Sequence, residues 1–109
     1  MATEKTVQRI TSEYVHRLNR RIRIRKAILT GSWANGSYLE DSDVDLVVVS
    51  DDFADMPLPR RLVYLQKHWK SRLPLEAFGY TNKEFQDLAK KSFYVKDAVQ
   101  HGIVLFNSD

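Results

Sequence analysis

Two aspartates, Asp43 and Asp45, stand two residues apart just before a run of valines. Alternate residues of an extended chain share a face, so both carboxylates project from one side of a sheet. Like charges held that close repel, and the pair is stable where a cation sits between or above it. Oxygen-only ligands suit Mg²⁺, which keeps waters and completes its shell with substrate phosphates. Upstream, Gly31 follows an apolar run and lets the backbone turn sharply. Ser32 then opens a short helix whose free N–H groups and side-chain hydroxyl suit a phosphate oxygen, and Gly36 closes that helix in a left-handed conformation. Glu76, between Leu75 and Ala77, supplies a third carboxylate if its strand lies beside Asp43 and Asp45. Two metal ions about 4 Å apart would then activate an attacking hydroxyl and stabilise a departing pyrophosphate, with Glu76 as ligand or general base. Taken singly, each feature has a plainer role: a turn, a loop cap, a solvent-facing acid. Their ordered combination is what a metal-bound triphosphate requires.

Those residues need a scaffold of alternating elements. Val7, Ile10, Tyr14 and Leu18 recur at helical spacing and predict a helix over roughly 4 to 20. From Arg21 the pattern changes to period two, with Ile22 and Ile24 against arginines, and it becomes fully apolar at Ala27 to Leu29, which predicts a strand ending at Gly31. Val44 to Val49 is β-branched and suits a central strand covered on both faces. Asp51 and Asp52 close it, Pro57 and Pro59 mark a connection, and Leu58, Leu62, Leu65 and Trp69 predict a second long helix. Pro74 to Tyr80 fits a third strand, Thr81 to Glu84 a capping box, and Asn82 the start of a helix carrying Phe85, Leu88 and Ala89. Val95, Ala98 and Val99 suggest a further helix, and Ile103 to Phe106 a closing strand. The expected class is α/β (α+β): a small mixed β-sheet with helices packed on it, one domain over 1–109.

Composition narrows the chemistry. The chain of 109 residues is 43% hydrophobic and 28% charged, an ordinary balance for a folded protein. With no cysteine, disulfides, thiolate catalysis and cysteine zinc sites are excluded. His16, His68 and His101 lack the spacing of a zinc motif. No apolar stretch approaches the roughly 20 residues of a membrane span, and none resembles a secretory h-region, so the cytoplasm is the expected location. The net charge of +3 is concentrated between Arg17 and Lys26, which suits either an acidic partner or a solvated helix end. Nucleic acid stays an option without being favoured. Trp33 and Tyr38 flank the Gly31 turn and either stack on a base or pack on the sheet, packing being favoured. Trp69, Phe78, Phe85 and Phe93 read as core.

Gly31-Ser32 together with Ser42-Asp43-Val44-Asp45-Leu46, extended by Phe78-Gly79-Tyr80-Thr81 to Phe85, closely resembles the DNA polymerase β-type nucleotidyltransferase superfamily, and within it the minimal nucleotidyltransferases often found beside a HEPN-domain partner. The resemblance implies a polymerase β palm-like fold and transfer of AMP from ATP onto a hydroxyl. It implies that Gly31, Ser32 and Ser42 contact the triphosphate and that Asp43, Asp45 and Glu76 are catalytic and ligate two Mg²⁺ ions, with Mn²⁺ as an alternative. It also implies a HEPN-type protein as partner, a tyrosine of that partner as acceptor and an antitoxin role, with homo- or hetero-oligomers both open. Two positions depart from the family pattern. The third acid is commonly an aspartate where Glu76 stands, and an arginine is common where Asn35 stands. The alternative is a non-catalytic module that neutralises its partner by contact.

Overall fold

The computed structural model describes residues 2–108. Helix α1 (Glu4–Asn19) starts at Thr3, whose hydroxyl accepts the Thr6 N–H at 3.1 Å. Strand β1 (Lys26–Thr30) leads into the single turn α2 (Ser32–Asn35), and strand β2 (Val44–Val49) follows. A 3₁₀ turn at Asp51–Asp55 then gives way to α3 (Leu58–Lys67), β3 (Leu75–Tyr80), α4 (Asn82–Lys91), α5 (Phe93–His101) and β4 (Ile103–Asn107). The four strands form one sheet in the order β3-β2-β1-β4. β1 pairs antiparallel with β2 and with β4, whereas β2 and β3, joined through α3, run parallel. This is the mixed sheet with packed helices that the alternation of patterns predicts.

The valine strand is central, and its alternation divides the core in two. Val44, Leu46 and Val48 join Val7, Tyr14, Leu18 and Leu65 on the face covered by α1 and α3. Val47 and Val49 join Ile28, Phe85, Val95 and Ala98 on the face covered by α4 and α5. Asp45 falls in the second set by periodicity, so its carboxylate points to the α4/α5 side at the open end of the strand.

Three local expectations are corrected. Arg21 to Arg25 is not strand: the Arg21 and Ile22 N–H groups donate back to the Leu18 carbonyl, Arg23 N–H to Asp52 Oδ2 at 2.8 Å and Ile24 N–H to Asn19 Oδ1 at 3.0 Å. Up to Ile24 a helix carbonyl and side-chain oxygens have taken the donors a strand needs, although Ile24 is still buried; only the Arg25 N–H reaches a strand carbonyl, that of Val49. Pro59 lies inside the first turn of α3, where a missing N–H costs nothing. Phe93 is 86% exposed at the start of α5 rather than in the core. The capping box at Thr81 and Glu84 forms as expected, with Glu84 N–H donating to Thr81 Oγ1 and Thr81 N–H to Glu84 Oε1.

Candidate functional site

The Gly31 turn is built by the end of β1. Gly31 has φ +71° and ψ −155°, a conformation that side-chain-bearing residues avoid, and a Cβ there would collide with Asp45 Oδ2. The Asp45 carboxylate therefore lies directly on the bare backbone of the turn. The Gly31 carbonyl accepts the N–H groups of Ala34 and Asn35, and Gly36, at φ +87°, closes α2 by donating its N–H to Ser32 O at 3.0 Å. By position, the N–H groups of Ser32 and Trp33 have no carbonyl within α2 to donate to.

Strand register gathers the acids. Thr30, only 2% exposed, is paired across β1 and β2 with Asp45, and Asp45 is paired across β2 and β3 with Glu76. Thr30, Asp45 and Glu76 thus form one cross-sheet row. Asp43 precedes β2 and, like Glu76, is exposed, while Asp45 is half-buried. Burial pushes the Asp45 carboxyl up to about 6, and the neighbouring negative charges of Glu76 and Asp43 push it the same way. A half-buried carboxylate that also has two other acids beside it is a place where a cation is favourable. Among the described residues no group of three or more His, Asp or Glu side chains could hold a metal ion by itself. An ion here would take part of its shell from water or phosphate oxygens, as Mg²⁺ does.

The loop between α2 and β2 is tied down by its aromatics. Trp33 is buried and stacks on Tyr38 with ring centroids 4.1 Å apart, and its Nε1–H donates to Ser42 O at 2.9 Å. Both rings pack on the protein, as favoured from sequence. Ser42 Oγ accepts the Leu39 N–H at 2.7 Å, so its oxygen shapes the loop that delivers Asp43 while its own proton stays free to donate. Asn35 Oδ1 accepts from Ser37 N and Ser37 Oγ in a local turn. No substitute for its missing charge comes from Arg25 or Lys26, which lie at the far end of β1: Arg25 pairs with Asp51 at 3.2 Å and Lys26 covers the Phe85 ring.

Helix α5 brings residues that local sequence patterns do not single out. Asp97 and His101 border a cleft of about 180 Å³ with Thr30, Gly31, Ala34 and Asn35, and His101 Nδ1 lies 3.1 Å from Asp97 Oδ1. The Tyr94 ring meets Phe78 edge-on at 5.6 Å on the face that carries Glu76. The Tyr94 hydroxyl is buried with no hydrogen-bond partner among the described residues. Burial raises its pKa, and Asp45, Glu76 and Tyr80 raise it further, which places the phenol in the field of the acidic row.

Comparison with known proteins bears on the family and the fold. A family model described as "Nucleotidyltransferase domain" matches residues 9–105. Over 53 residues the chain is 42% identical to a Methanocaldococcus jannaschii protein named "Putative protein adenylyltransferase", a match covering 47% of this chain and 49% of that protein. The chain thus spans about half the length of this curated relative. The crystal structure of a "putative nucleotidyltransferase" from Sulfolobus solfataricus matches with a TM-score of 0.71, covering 96% of this chain and 84% of that one. At 17% identity, that likeness bears on the fold.

Proposed function

The chain belongs to the nucleotidyltransferase domain family, and from that premise we propose that it transfers AMP from ATP to a hydroxyl of a protein acceptor, with release of pyrophosphate. The observation that carries the reading is the contact between the Gly31 turn and the Asp45 carboxylate, which sets the first N–H groups of α2 beside an acidic row. The N–H groups at Ser32 and Trp33 and the Ser32 hydroxyl would donate to the triphosphate, with Ser42 as a further donor. Asp43 and Asp45 would hold Mg²⁺, or Mn²⁺, and Glu76 would act as ligand or general base. The chemistry that two such ions supply is neutralisation of charge on the triphosphate and on the departing pyrophosphate. The acceptor oxygen forms its bond to the α-phosphorus as the bond to the bridging oxygen of pyrophosphate breaks, and the acceptor's proton leaves to a carboxylate.

The acceptor assigned here is a tyrosine of a HEPN-type protein, and the physiological role is that of an antitoxin which silences this partner by modifying it. Support comes from the family, from the adenylyltransferase name of the M. jannaschii relative and from the exposure of Asp43 and Glu76, which leaves the acidic row open to a second protein. The test is incubation with ATP labelled at the α-phosphate, Mg²⁺ and the HEPN-domain protein, followed by mass spectrometry. AMP should appear on a tyrosine, and Asp43→Asn with Asp45→Asn should lower transfer by on the order of 1000-fold while the fold persists. Full silencing of the partner by that double variant would instead identify a module that acts by contact.

A further inference from the structure

The charge concentrated between Arg17 and Lys26 has no part in the acidic row. Lys26 and Thr30 are the two ends of β1, about 13 Å apart at the rise of an extended chain, so the basic run and the Gly31 turn occupy opposite ends of the sheet. At the basic end, two concavities share Arg20 and Arg21. One, of about 970 Å³, continues along Arg23 and Arg25. The other, of about 400 Å³, continues to Arg17 and Lys70 around His68. Burial holds the His68 imidazole below its ordinary value, and the positive charges of Arg21, Lys67, Arg17 and Lys70 lower it further, which records how many cations converge there.

The acids in this region are already engaged. Asp51 accepts the Asn82 N–H at 2.9 Å and pairs with Arg25, and Asp52 accepts the backbone N–H of Arg23. Six cationic side chains line the two grooves against these two carboxylates. Arginine predominates, and its planar fork matches phosphate oxygens in pairs. Apolar anchors are scarce: Ile22 is the aliphatic side chain of the larger groove, and the smaller has none. A protein partner would need a desolvated apolar or aromatic centre to bind here, whereas a polyphosphate chain needs only cations in a row.

We propose that this surface binds the phosphodiester backbone of a nucleic acid, independently of the nucleotide site. The cations run from the end of α1, through the Arg20 to Arg25 turn, to the loop after α3, a path along which successive phosphates would be neutralised.

The test uses fluorescence anisotropy with a labelled mixed-sequence RNA of about 20 nucleotides and the matching DNA, over a series of KCl concentrations. Two triple variants remove the same net charge: Arg20→Ala/Arg21→Ala/Arg23→Ala, and Lys83→Ala/Lys90→Ala/Lys91→Ala on α4. All six side chains are exposed, and thermal melts of both variants check the fold. The arginine triple should weaken binding at least tenfold near 0.1 M salt and flatten the slope of log K against log salt by about 2, since a single-stranded contact contributes roughly 0.7. The lysine triple should stay within about twofold of the parent. This pattern with either polymer supports the proposal, and the tighter of the two identifies the source. Equal weakening by both triples, displacement by polyglutamate at equal charge, or no binding at low salt would overturn it.

Discussion

At the Tyr80 end of the sheet, Glu84 meets Arg61 through two contacts, Nη1 to Oε1 at 2.6 Å and Nη2 to Oε2 at 3.3 Å. Its Oε1 also accepts the Thr81 N–H. Arg61, 4% exposed, spends its other donors on Met56 O and Gly79 O. The Arg61 side chain holds the Glu84 carboxyl below its usual range, and the Asn82 N–H does the same for Asp51. At the Leu75 end, Asp45 is pushed up by burial first and then by the negative charges of Glu76 and Asp43. One end spends its carboxylates on joining α3, β3 and α4. The other keeps its carboxylates short of positive charge, a stability cost that a bound cation would relieve. The contrast separates carboxylates that join elements of the fold from carboxylates that face one another without a cation.

The sharpest way to break the contrast is at the satisfied end. Arg61→Ala should destabilise the fold by about 2–4 kcal/mol, read as a fall in the urea midpoint at unchanged slope, because it strands the buried Gly79 carbonyl and strips Glu84 of its partner. Arg61→Lys should recover little, since one ammonium cannot reproduce the fork. At the acidic end, Gly31→Ala combines a strained φ with a collision against Asp45, and should cost about 1–3 kcal/mol together with a loss of triphosphate affinity measured by calorimetry.

Asp45→Asn should have a smaller effect of the opposite sign. The folded-state pKa of Asp45 is about 6, above its ordinary 3.8, so the folded chain binds this proton more tightly than the unfolded chain. Its contribution to stability is greatest at low pH and is lost as pH rises from about 4 to about 6. Asp51 and Glu84, with lowered values, act in the reverse sense: their stabilisation is present above their unfolded values and is lost as pH falls. The difference between parent and Asp45→Asn therefore isolates the acidic row. The variant should be the more stable above pH 6, by on the order of 1 kcal/mol after screening at a half-exposed site, with the gap closing toward pH 4. Smallest of all, Tyr94→Phe removes a buried hydroxyl that has no partner and should be neutral or stabilising by up to about 1 kcal/mol in thermal melts without nucleotide.

Much of this is legible in the sequence because the signals are local. Strand β2 announces itself by valine density, α4 by its capping box, and the Gly31 turn by the residues around it. The meeting of Asp45 with Glu76 is legible only as an adjacency of strands; the register that aligns them comes from the β2–β3 ladder. What stays hidden depends on long-range partners. Arg21 to Arg25 alternates like a strand, yet Leu18, Asp52 and Asn19 capture the backbone donors of Arg21 to Ile24. Arg61 looks like part of a solvated helix face until Met56, Gly79 and Glu84 converge on it. Tyr94 and His101 reach the site because α5 packs back across Ile28 and Val47, more than forty residues upstream in the chain.

The central claim, that the acidic row waits for a metal-bound triphosphate, is tested most directly by following the Asp45 carboxyl ¹³C resonance through a pH titration, with and without Mg²⁺ and ATP. The metal-free protein should titrate at about 6, and Mg²⁺ with ATP should drive the midpoint below the ordinary carboxylate range. An Asp45 midpoint left unmoved by Mg²⁺ and ATP would contradict the claim.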